Sequence, residues 1–131
     1  MKKVLSLIGA TMLVVSASLA FVMADGSQTL TGSTWGEVAI FGNKLSSTTY
    51  SGAAYAVPKK STSKVASSVE VGKVSNTGYM YKLSNRASKS GTGVAIYVYA
   101  EGSGNGCWCK SKLTESSGKA HTVDRYFYYK T

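Results

Sequence analysis

Residues 93–101 alternate with a period of two between aliphatic side chains and larger or polar ones. The aliphatic positions are Val94, Ile96, Val98 and Ala100. The intervening positions carry Ala95, Tyr97, Tyr99 and Glu101. A period of two with β-branched residues on one face is typical of a strand that turns its aliphatic side toward a core. We therefore expect a strand here, with Tyr97 and Tyr99 on its other side.

Five further stretches are strand candidates: Thr34–Phe41, Ser47–Val57, Val65–Val71, Tyr79–Ser84 and Val123–Lys130. Turn residues separate them. Ser75–Gly78 predicts a turn between two strands, Glu101–Gly106 a glycine-rich hairpin loop, and Lys59–Lys64 and Arg86–Gly91 basic, hydroxyl-rich loops. No stretch after Gly26 has a convincing helical period. The pattern predicts an all-β chain, a small antiparallel β-sandwich of about seven strands.

The N-terminal stretch predicts a secretory signal. Lys2 and Lys3 precede an apolar run from Val4 to Val22, and Ala24 follows with the small side chain that a signal peptidase requires. We expect the signal peptide at residues 1–24 and a single β-sandwich domain at 25–131, secreted to an extracellular location. Cleavage after Ala20 and retention as a membrane anchor are the alternatives.

Length and charge narrow the classes of partner. The 131 residues allow one small domain, and they carry 15 Lys and Arg against 6 Asp and Glu. Removal of residues 1–24 leaves 13 basic and 6 acidic residues, a net charge of +7. An exported domain with this charge is expected to bind an anionic cell-wall or membrane-surface component rather than nucleic acid. We expect it to be a monomer or to self-associate weakly.

Catalytic motifs are not apparent in the sequence. His121 is the single histidine, and in a strand it would lie on the opposite face from Asp124. The five glutamates and aspartates of the predicted domain's strands and turns show no spacing that marks an acid–base pair. We therefore expect a protein that is not an enzyme, with no cofactor and no metal site.

Cys107-Trp108-Cys109 leaves three interpretations open. In an extended strand both sulfurs share a face, with Cα atoms roughly 6.6 Å apart, at the upper limit for a disulfide. The two residues form a local disulfide, or pack as two buried thiols, or serve as a reactive or metal-binding pair.

Aromatic and basic side chains together predict an envelope-binding surface. Its candidates are Trp35, Tyr97, Tyr99, Trp108, Lys110, Lys112, Tyr126 and Tyr128. Aromatic rings suit sugars, and lysines suit phosphate or carboxylate groups. Trp108 is expected to join Tyr97 and Tyr99 across the predicted hairpin. The alternative is that the tyrosines only cover strand surface.

Four short motifs resemble the lactococcin 972 family of secreted bacteriocins. They are Gly32-Ser33-Thr34-Trp35, Ser67-Ser68-Val69, Asn76-Thr77-Gly78 and Phe127-Tyr128-Tyr129. The resemblance implies a small cationic β-sandwich that acts on the cell-wall precursor lipid II of related bacteria, with Trp35 and the terminal aromatic residues matching the family's layout. A bacteriocin-like inhibitor of cell-wall synthesis is then the leading hypothesis. A structural surface or matrix protein and a thiol-redox or metal module built on Cys107 and Cys109 are the alternatives.

Overall fold

The computed structural model describes residues 26–131, so the predicted signal peptide and its cleavage sites lie outside the described residues. The described part forms eight strands: β1 (Gly26–Gly32), β2 (Gly36–Lys44), β3 (Thr49–Pro58), β4 (Lys64–Val74), β5 (Met80–Thr92), β6 (Ile96–Ser103), β7 (Gly106–Thr114) and β8 (Ala120–Tyr128). The all-β prediction is confirmed, with one strand more than expected. No helix in residues 26–131 is long and apolar enough to cross a membrane.

Two antiparallel four-stranded sheets face each other. Sheet A has the order β1-β2-β3-β6, and sheet B has the order β5-β4-β7-β8. The chain changes sheet after β3, after β5 and after β6. The β1–β2, β3–β4, β5–β6 and β7–β8 connections lie at one end of the sandwich, which we call the β1–β2 end. The β2–β3, β4–β5 and β6–β7 connections lie at the opposite end, which we call the β2–β3 end.

The core lies between the sheets and follows the predicted period of two. On β4 the buried positions include Val65, Val69 and Val71, and on β6 they are Ile96, Val98 and Ala100. The predicted aliphatic face of residues 93–101 is therefore confirmed from Ile96 to Ala100, and β4 alternates in the same way. Val94, by contrast, precedes β6 and stays exposed.

Two segments differ from the sequence-based expectation because they belong to edge strands. Residues 86–91 lie inside β5, where a basic loop was predicted, and β1 was not predicted at all. Most residues of both strands are exposed on either face. Apolar and polar residues therefore need not alternate along these strands. Arg86 and Lys89 place charge on the outer edge of sheet B, which disfavours pairing with another strand.

The segment Glu101–Gly106 is not a hairpin loop, because β6 pairs with β3 in sheet A whereas β7 pairs with β4 and β8 in sheet B. Gly104, with φ of +150°, passes close to the backbone of β4. A Cβ at this position would lie 2.0 Å from the Gly72 carbonyl oxygen. The next residue, Asn105, is buried and bonds both to Val74 of β4 and to the Tyr129 carbonyl. The connection is thus a fixed crossing between the sheets.

Candidate functional site

The outward side of sheet B brings together five of the eight predicted surface residues. Strand β7 lies between β4 and β8, and its side chains alternate between the core and solvent. Its outward positions carry an indole and two ammonium groups, and the register places two tyrosines of β8 and one lysine of β4 on the same side. We call this surface the basic face: Lys64, Trp108, Lys110, Lys112, Tyr126 and Tyr128.

Trp108 is held in place on the basic face. Its Nε1 donates a hydrogen bond to Oδ1 of Asp124 over 2.7 Å. Across the strands Trp108 lies opposite Glu70 and Tyr126, and with Glu70 and Arg86 it lines a shallow depression of about 480 Å³. Because the indole has a fixed partner and a half-exposed ring, it offers a platform for a flat ligand.

Lys64 and Lys112 border a second depression farther along the same face. The depression measures about 410 Å³, and Ser90, Thr92 and Thr114 contribute hydroxyl groups to its lining. Within residues 26–131, neither lysine forms an ion pair. Two unpaired cations beside hydroxyl donors suit a phosphate or carboxylate group.

Tyr97 and Tyr99 lie on the opposite side of the molecule, on the outward face of sheet A. The expectation that Trp108 joins them across a hairpin is wrong, because β6 and β7 belong to different sheets. The eight candidate residues therefore do not form one surface.

The outward face of sheet A carries an aromatic cluster of its own. Phe41 and Tyr55 stack with ring centroids 5.9 Å apart over buried alanines of β2 and β3, and Tyr97 packs beside them. Burial and a hydrogen bond to Glu37 raise the pKa of Tyr55 well above its usual range. Burial likewise raises the pKa of Tyr97 and of Tyr99. These phenols therefore stay neutral over a wide range of pH.

Trp35 lies at the β1–β2 end, away from both of these surfaces. Its ring stacks on the imidazole of His121, with centroids 3.8 Å apart and planes inclined by 5°. A Cβ added at Gly32 would lie 1.8 Å from Nε1 of Trp35, so the glycine makes room for the indole. Trp35 is half-buried against the core. Its position is therefore explained by packing within the fold.

His121 also bonds to Glu115, with 2.8 Å between Nε2 and Oε2. This hydrogen bond lowers the pKa of the Glu115 carboxyl. The register places His121 opposite Leu113 and Asp124 opposite Lys110, on the two faces of sheet B, as the sequence predicted. The group formed by Trp35, Glu115 and His121 was not predicted, because its members belong to different elements and share no motif. Nowhere in residues 26–131 do three His, Cys, Asp or Glu side chains gather as metal ligands would.

Cys107 and Cys109 lie on the inward side of β7, on one face as an extended strand requires. Both are fully buried, and their sulfurs are 3.6 Å apart. A Cβ at Gly52 would approach each sulfur to 3.0 Å, so the thiols pack tightly against β3. Cys109 also contacts the Phe41 carbonyl oxygen. In this arrangement the thiols fill the core and are shielded from solvent.

No family model, no curated protein and no solved structure matches this chain. The resemblance to the lactococcin 972 family stays a prediction that rests on its short motifs. In the structure those motifs occupy the β1–β2 turn, the middle of β4, the β4–β5 turn and the end of β8.

Proposed function

We propose that this chain is a secreted, cationic, non-enzymatic β-domain that binds an anionic component of the cell envelope through the basic face. The observation that carries the proposal is the pair Lys64 and Lys112, which borders a hydroxyl-lined depression and has no ion-pair partner among the described residues. A bacteriocin-like inhibitor of cell-wall synthesis is the sharpest form of this proposal, and the motif resemblance supports it.

The arrangement of the acidic groups also favours binding over catalysis. Four carboxylates each bond a single aromatic or imidazole partner: Glu37 with Tyr55, Glu101 with Tyr99, Glu115 with His121, and Asp124 with Trp108. Tyr55 and Tyr99 lie on the outward face of sheet A, Trp108 lies on the outward face of sheet B, and His121 lies at the β1–β2 end. Nothing in this arrangement pairs two carboxylates across a cleft, as glycoside hydrolysis by two carboxyl groups requires.

The test compares two double variants with the same loss of charge. Lys64→Ser with Lys112→Ser removes the depression's cations, whereas Lys89→Ser with Lys119→Ser removes two exposed lysines elsewhere. At low salt we expect the first variant to bind purified anionic wall material on the order of tenfold more weakly, with a shallower salt dependence. The control variant should bind nearly as the parent does.

Equal losses in the two variants would show that only net charge matters and would contradict a site on the basic face. Growth of related strains is measured with the same samples. Wall binding without growth inhibition would leave the envelope-binding proposal standing and would end its bacteriocin form.

A structural surface or matrix protein is the second candidate, and the exposed edge strand β1 favours it. This strand borders sheet A and has no charged residue, and an open, uncharged strand edge can pair with another chain. Ordered assembly of the pure protein in sedimentation experiments, without growth inhibition, would support this candidate. The thiol-redox or metal module draws no support from the buried thiols.

A further inference from the structure

The β4–β5 hairpin forms an arm that extends past the rest of sheet B. Strand β7 begins at Gly106, opposite Gly72, so residues 73–83 have no β7 neighbour; we call this segment the hairpin arm. Large apolar side chains are exposed on it. Tyr79 and Tyr81 are each 59% exposed and Leu83 is 46% exposed, while Leu45 in the β2–β3 turn is 44% exposed. Exposed apolar groups concentrated in one region mark an interaction surface.

Charge on the hairpin arm points to the kind of partner. Lys73 of β4 lies directly opposite Lys82 of β5, and residues 73–83 contain no Asp or Glu. Like charges directly opposite each other on paired strands destabilise a sheet. The pair therefore does not help the hairpin to fold, whereas an anionic partner would stabilise it.

A depression joins the hairpin arm to the β2–β3 turn. It measures about 450 Å³ and is lined by Lys73 and Tyr81 from the arm, Ser47 and Thr48 from the turn, and Tyr129 after β8. The Tyr129 hydroxyl donates to the Ser47 carbonyl over 2.9 Å and so connects the C-terminal segment to the turn. Lys73 and Tyr81 therefore share one depression with the β2–β3 turn, and the exposed side chains of Leu45, Tyr79 and Leu83 lie at the same end of the sandwich.

We propose that this end of the sandwich docks on an anionic lipid bilayer at the depth of the headgroups. Tyrosine rings favour the membrane–water interface, and lysines reach anionic headgroups while their methylene stems cover apolar surface. The aliphatic Leu45 and Leu83 favour a lipid over a glycan partner. The arm's tip, Ser75–Gly78, is polar, which keeps the contact shallow. This surface shares no residue with the basic face and stands independently of it.

The test uses vesicles and protein expressed from the full sequence, purified as its host processes it, with the intact mass recorded. Flotation is measured with phosphatidylglycerol–phosphatidylcholine vesicles and with phosphatidylcholine vesicles. Three double variants are compared: Lys73→Ser with Lys82→Ser, Tyr79→Ser with Tyr81→Ser, and Lys89→Ser with Lys119→Ser as the control for equal charge loss. All the altered side chains are exposed, and thermal unfolding checks that each variant folds.

We expect the parent to bind the anionic vesicles and the arm lysine variant to bind on the order of tenfold more weakly, since each lysine near an anionic surface contributes to binding. The tyrosine variant should also lose binding, and the control with equal charge loss should keep it. Equal losses in both lysine variants, or no binding by the parent, would overturn the proposal. The proposal would also be overturned if the parent bound an anionic polysaccharide and the tyrosine variant kept that binding. The basic-face result on wall material is a separate measurement, so either proposal can fail alone.

Discussion

The ring of Trp35 lies flat on the ring of His121, with their centroids 3.8 Å apart. Trp35 comes from the β1–β2 turn of sheet A, and His121 is the second residue of β8 in sheet B. The stacked pair therefore closes one end of the sandwich by joining the two sheets. Glu115 from the β7–β8 connection bonds to the imidazole and completes the contact.

This contact predicts how stability responds to acid. The hydrogen bond from His121, aided by the charges of Lys60 and Lys119, lowers the pKa of Glu115 below its ordinary value of 4.5. The folded carboxyl thus holds its proton less tightly than the unfolded one. Its stabilising contribution is complete above the ordinary value and is lost as the pH falls through the folded pKa. We expect Glu115→Gln to flatten the fall in unfolding free energy on acidification, measured by urea denaturation between about pH 6 and 3. Glu70→Gln serves as the control, and parallel curves for the parent and Glu115→Gln would contradict the prediction.

Asn105 is expected to be the most costly single polar residue to remove at the β2–β3 end. Its side chain accepts a hydrogen bond from the Val74 amide and donates to the carbonyls of Val74 and Tyr129, at 2.7, 2.9 and 2.8 Å. Asn105→Ala should lower the unfolding free energy by roughly 2–4 kcal/mol, because three bonds are lost and the backbone groups of Val74 stay buried. Asn76→Ala on the exposed β4–β5 turn should change it by less than about 0.5 kcal/mol. Denaturant titrations of the two variants decide this, and similar small losses would show that the bonds of Asn105 matter little.

Burial predicts the reactivity of the two cysteines. Both side chains are inaccessible to solvent, so a thiol reagent should modify neither of them in the folded protein. Both should react in denaturant without prior reduction. If modification in denaturant requires reduction, and the mass then rises by about two hydrogens, the two residues form a local disulfide instead.

Alkaline conditions should reduce the stability that comes from the aromatic cluster on the outward face of sheet A. Burial, together with the bond to Glu37, raises the pKa of Tyr55 above its ordinary value of 10.0. The folded phenol therefore keeps its proton when the unfolded one ionises. The stabilising effect is complete below the ordinary value and is lost as the pH rises toward the folded pKa. We expect the unfolding free energy to fall more steeply above about pH 10 in the parent than in Tyr55→Phe. Equal slopes in denaturation experiments would show that the Tyr55 phenol does not contribute.

The alternation of apolar and polar residues predicted the buried positions of strands that have one face against the core. Ile96 and Val98 were assigned to the interior from alternation alone, and both are buried. The edge strands escaped prediction because burial does not constrain them. Arg86 is exposed at the edge of sheet B, and the polar stretch around it has no alternation that would predict a strand.

The sequence did not show which strands belong to the same sheet. For this reason the residues of the predicted envelope-binding surface lie on two different sheets. Tyr99 and Trp108 are close in sequence and lie on opposite sides of the sandwich. The contact between Trp35 and His121 was hidden for the same reason, since it depends on which strand ends meet. Alternation reports which residues point inward but not which strands become neighbours.

The interleaved strand order limits when this chain can fold. Strand β3 finds its second neighbour only in β6, and β4 finds its second neighbour only in β7. A growing or translocating polypeptide that has delivered only its first five strands can form a meander and a hairpin, but not the cross-sheet closure made by Asn105. Pairing over such sequence separations is slow. A chain emerging from a ribosome or an export channel consequently stays without a finished interior until its last third is available.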